Sequence, residues 1–76
     1  MAYAWNAVKV YKRETRELVR RFRKHQISFP SCISRLDAAL TRFIPRMLSE
    51  DIGELRAVML ANNDAVMKEA AKRADG

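Results

Sequence analysis

The sequence predicts an all-α fold: a small antiparallel bundle of three helices, with residues 1–76 forming one domain. Three observations lead there. Apolar residues recur at alternating steps of four and three in three separate stretches, which is the spacing of one helical face. Breaks containing Ser and Pro separate the stretches near residues 26–31 and 45–49. No stretch alternates apolar with polar residues as a half-buried strand would, and no Asn-Gly or Asp-Gly pair lies between two such stretches to make a hairpin turn.

The first helix is expected over about residues 3–25. Ala4, Val8, Tyr11, Thr15, Leu18 and Phe22 line one side of it, and Trp5 and Val19 widen the stripe. Thr15 interrupts that stripe midway, which predicts two separate contact zones. The second helix is expected over about 29–44. Ser28 suits its N-cap, because a hydroxyl accepts a first-turn amide, and Pro30 is harmless where its missing N–H would be unpaired anyway. Phe29, Ile33, Leu36, Leu40, Phe43 and Met47, with Ile44 beside them, form the most continuous apolar stripe in the chain. This helix is therefore expected at the centre of the core.

Pro45 removes a backbone donor and biases Ile44 away from helical geometry. A turn is expected at 45–49, with Met47 and Leu48 pointing inward; a kinked continuous helix is the alternative. Ser49 is the expected cap of a third helix over about 50–74. Glu50, Asp51 and Glu54 place negative charge at the positive end of its dipole. Ile52, Leu55, Met59, Val66 and Ala70 share one face of it, and Leu60, Met67 and Ala71 share another. A helix apolar on two sides is expected between two neighbours. Asn62 and Asn63 flank the stripe where Leu or Ala would be more stable, and an Asn in a helical interface fixes register and oligomeric state. They join Trp5 and Tyr11 as candidate interface residues.

The chain has a net charge of +6, from 15 Lys and Arg against nine Asp and Glu. The excess is local. Eight basic residues and two acids lie up to His25, whereas residues 26–76 carry seven of each. Projected around the first helix, Lys9, Arg13, Arg16, Arg20 and Lys24 form a stripe roughly opposite the apolar side, and with Lys12 and Arg23 they are the candidate partner-binding residues. Solubility alone does not require so many like charges on one element, and an anionic partner is a physical reason for them. Arg35, Arg42 and Arg46 add a second basic line along the second helix.

The same composition excludes most chemistry. One Cys cannot form an internal disulfide, and one His with one Cys does not make a Cys/His zinc site. Two glycines cannot build a phosphate-cradling loop. The longest apolar runs, 1–5 and 57–61, fall far short of the roughly 20 residues of a membrane span. No basic segment leads into an apolar one as in a secretory signal. Cys32 lies beside an apolar stripe and reads as a small buried hydrophobe. His25 has no carboxylate nearby to orient it. Glu50, Asp51 and Glu54 read as dipole compensation. No catalytic, metal or cofactor residues are assigned, and the chain is expected not to be an enzyme.

The expected function is that of a small helical accessory subunit in a reducing cytoplasm, peripheral to a membrane in one version. Its basic first helix docks on an acidic protein of a larger complex or on an anionic membrane surface. A core of this size supplies about 3–5 kcal/mol, so either the helices pack very regularly, or a larger partner or a second copy of the chain completes it. The alternative is non-specific DNA or RNA binding by the same helix. Sequence-specific DNA binding is disfavoured, because the basic stripe lacks the Asn, Gln, Ser and Thr that read base edges.

Overall fold

The computed structural model describes residues 6–75 and contains three helices and no strand among them. Helix α1 spans Ala7–Arg23, α2 Phe29–Phe43 and α3 Ile52–Asp75. Two short 3-10 turns, Ile44–Arg46 and Ser49–Asp51, join α2 to α3. The expected first-helix positions Tyr3, Ala4 and Trp5 lie outside the described residues.

α1 starts at Ala7 instead of near residue 3 because Asn6 is its cap. Asn6 is extended (φ −99°, ψ 103°), and its side-chain oxygen accepts from the Lys9 N–H at 3.1 Å. The helix closes with two backbone bonds, Gln26 N–H to the Arg21 carbonyl at 2.8 Å and His25 N–H to Phe22 at 3.0 Å. This is the Schellman arrangement, which needs a left-handed residue just past the helix end. His25 fills that place with φ +62°. α2 is capped as expected, the Ser28 hydroxyl accepting from Ser31 N–H at 3.2 Å with Pro30 in the first turn.

Pro45 ends the helix and does not kink it. Ile44 keeps right-handed helical angles (φ −50°, ψ −47°), the chain tightens into Ile44–Arg46, and Met47 is extended. Ser49 does not cap the third helix. Asp51 closes the entry turn instead, its carboxylate accepting from the Leu48 N–H at 3.2 Å while its own N–H donates to the Leu48 carbonyl at 2.9 Å. Leu48 is 61% exposed and does not turn inward, because its extended backbone carries the side chain away from Met47, which packs on the core.

α2 runs antiparallel to α1, which places Tyr11 edge-on to Phe43 at 6.1 Å and Phe22 against Phe29 at 5.9 Å. α3 runs parallel to α1, pairing Thr15 with Asn62 and Phe22 with Arg73. Both outer helices pack along α1 and meet each other far less. The central element is therefore α1, not α2. Ala7, Val8, Tyr11, Thr15, Val19 and Phe22 are all buried on it. The buried face of α2 is Cys32, Leu36, Ala39 and Phe43, rotated from the expected one, and Phe29 and Ile44 lie at its exposed edge.

The core is divided in two. Ala7, Tyr11, Ala39, Phe43 and Leu55 form one cluster, and Val19, Phe22, Cys32, Leu36 and Val66 form the other. Thr15 lies between them, wholly buried, as its place in the stripe suggests. Its hydroxyl donates to the Tyr11 carbonyl at 2.8 Å and accepts from the Asn62 amide at 2.8 Å. The expectation that α3 is sandwiched is corrected: Leu60 and Met67 are 57% and 56% exposed, because only one side of α3 faces α1.

Candidate functional site: the basic ridge of α1

The burial of one side of α1 decides what the other side can do. Its apolar residues are consumed by the core, so the remaining half projects as a ridge of charge between α2 and α3. Lys9, Lys12, Arg13, Arg16, Arg23 and Lys24 are exposed and make no ion pair among the described residues. Arg20, grouped with them by sequence, differs: it and Arg21 both bond Glu17, the latter at 3.2 Å. Those hydrogen bonds, that from Arg20 foremost, hold the Glu17 carboxyl pKa down at about 2. Arg20 is correspondingly held protonated by Glu17.

A groove flanks the ridge on each side. The one against α2 encloses about 670 Å³, with Leu18, Ala38 and Ala39 as its apolar lining. Arg13 and Arg21 reach it from α1, and Arg35 and Arg42 from α2. In the sequence these are two separate basic lines; the antiparallel packing brings them to one place. Glu14 and Glu17 share this groove, and Glu14 pairs with Arg42. Arg42 also lies over the Phe43 ring at 4.9 Å.

The groove against α3 encloses about 470 Å³. Its α1 rim is Lys12, Arg16 and Arg23, and its α3 side is Ala57, Ala61 and Ala65, with Glu54 at one end. The alanines lie off the apolar stripe of α3, which hides them in the sequence. Their spacing of four was the signal available.

The remaining candidates lie elsewhere. Tyr11 is interior, at 2% exposure, and burial with the nearby Asp37 charge raises its phenol above 10.0. Asn62 is half-buried and bonded to Thr15, while Asn63 is exposed. Trp5 lies outside the described residues. Cys32 is buried, and desolvation raises its thiol above 9.0. Among the described residues no three His, Cys, Asp or Glu side chains are grouped to hold a metal ion, and no helix is long and apolar enough to cross a membrane. No known protein family, curated protein or solved structure matches the chain.

Proposed function

We propose that this protein is a non-enzymatic docking module that binds an acidic protein surface through the ridge of α1. The observation that carries the reading is that six cations of this ridge, Lys9 to Lys24, have no acid partner among the described residues while the other side of the helix is core. Such a surface repels itself, and carboxylates relieve that repulsion on contact. Arginine suits them because its planar fork bonds a carboxylate with two parallel N–H groups. The unpaired Cys32 fits work in a reducing cytoplasm.

An anionic membrane is the weaker partner. Interfacial helices bury an apolar side among lipids, and the apolar side of α1 is already occupied by α2 and α3. Nucleic acid is the alternative partner of the same ridge, since phosphates also suit Lys and Arg that lack an acid partner.

The test is a titration at about 150 mM salt against an acidic helical peptide, duplex DNA and anionic vesicles. The peptide should bind best. Replacing Lys9, Arg13 and Arg16 by Glu should abolish its binding and leave the helical circular dichroism intact. Tighter binding to DNA, or a triple variant that binds the peptide unchanged, overturns the reading.

A further inference from the structure

Resting on that reading, we propose that the partner docks as a helix laid in the groove between α1 and α3. The two grooves differ in the charge they leave free. The α1/α2 groove holds two acids, Glu14, which pairs with Arg42, and Glu17, which pairs with Arg20 and Arg21, and leaves Arg13 and Arg35 as its cations without an ion pair among the described residues. In the α1/α3 groove all three rim cations, Lys12, Arg16 and Arg23, are without an ion pair among the described residues, of which Glu54 is the one acid lining it.

The shape of this groove selects a helix. Ala57 and Ala61 are exposed and Ala65 half-buried, one per turn, and with Val58 and Asn62 they line the α3 side of the groove, which carries no aromatic or long aliphatic side chain. Small side chains let helix axes approach to about 8 Å. Lys12, Arg16 and Arg23 span three turns of α1, about 16 Å at 1.5 Å per residue. A helix beside them meets all three with carboxylates at i, i+4 and i+11, and seats Ala or Leu on the alanines. An extended acidic segment has no such match, because its side chains alternate in direction.

The probe is a fluorescent synthetic helix whose Ala/Leu face is bordered by Glu at i, i+4 and i+11, with a scrambled peptide of equal composition as comparison. The full chain carries Ala57→Gln with Ala61→Gln, exposed helical sites where Gln is well tolerated. Ala38→Gln obstructs the other groove, and the Lys9, Arg13 and Arg16 to Glu variant removes the ridge. Filling the α1/α3 groove should weaken binding at least about tenfold, Ala38→Gln should not, and the scrambled peptide should bind at least about tenfold more weakly. Equal binding of the scrambled peptide overturns the helix. Loss on Ala38→Gln, or loss in the ridge variant with none on filling the α1/α3 groove, overturns the groove and leaves the docking function standing. No binding of either peptide to the unaltered chain overturns both.

Discussion

The Asn62 amide donates to the Thr15 hydroxyl across 2.8 Å, joining the middles of α1 and α3. Thr15 in turn donates to the Tyr11 carbonyl one turn back, so its oxygen is satisfied on both sides despite complete burial. The pair lies where the two core clusters meet, and sliding α3 by one residue breaks it. Asn62→Ala should cost about 1 kcal/mol in urea unfolding, and Thr15→Val a similar amount by stranding the amide. The pair Thr15→Val with Asn62→Leu should be more stable than the sum of the single losses, since removing both partners leaves nothing unpaired. Additive losses would show that the two are not coupled.

Arg73 ties the end of α3 to the end of α1. Its guanidinium lies 4.1 Å over the Phe22 ring, donates to the Phe22 carbonyl and pairs with Glu69 at 3.1 Å. Arg73→Lys keeps the charge and loses the planar stack and fork. It should cost about 1 kcal/mol, read by thermal unfolding, and speed amide exchange at the last turn of α1. An unchanged exchange rate there would place the role of Arg73 within α3 alone.

Two backbone positions should accept stabilising changes. His25 sits at φ +62°, where an L side chain costs about 1–2 kcal/mol and Gly costs none. His25→Gly should raise stability by about 0.5–1 kcal/mol, the greater freedom of Gly in the unfolded chain offsetting part of the gain. Gly53 has open space where a Cβ would stand. Gly53→Ala should add up to about 1 kcal/mol by helix propensity. A lower melting temperature in either variant contradicts the geometry at that residue.

Glu17 gives a pH signature. Its folded value of about 2 lies below the ordinary 4.5. The lowered value means that the interaction is fully present above pH 4.5 and is lost as pH falls through about 2. Carboxyl carbon shifts should show Glu17 titrating near pH 2, and Arg20→Ala should move that midpoint upward. A midpoint unchanged by Arg20→Ala would remove Arg20 as the principal cause.

Cys32 should be inert in the folded protein. The thiolate is the reactive form, and burial both raises the thiol above 9.0 and shields it. Labelling by an aromatic disulfide should be slow in buffer and accelerate with urea in step with unfolding. Fast labelling without urea would mean that α2 opens locally at Cys32.

Much of the secondary structure is legible in particular residues. Ser28 and Pro30 announce the start of α2 because capping and the missing proline donor act within one turn. Pro45 announces its end for the same reason. The caps at Asn6 and Asp51 are less legible, since several polar residues nearby qualify and backbone angles choose among them. For the site, charge is legible and convergence is not: Arg13 and Arg35 are 22 positions apart, and only the antiparallel return of α2 puts them in one groove.

Three features were already fixed along the chain: the three helices, the interruption of the core at Thr15 and the confinement of excess charge to the first helix. They follow from periodicity, capping and composition, which are local. Packing decided that α1 and not α2 is central, that Leu60 and Met67 face solvent, and which cations stand apart from the acids. The physical reason is that a stripe of apolar residues states that a helix has a face to bury, without stating how many neighbours share the burial. With α1 between two partners, its wide apolar side is filled from both, while α3 meets α1 along one side only.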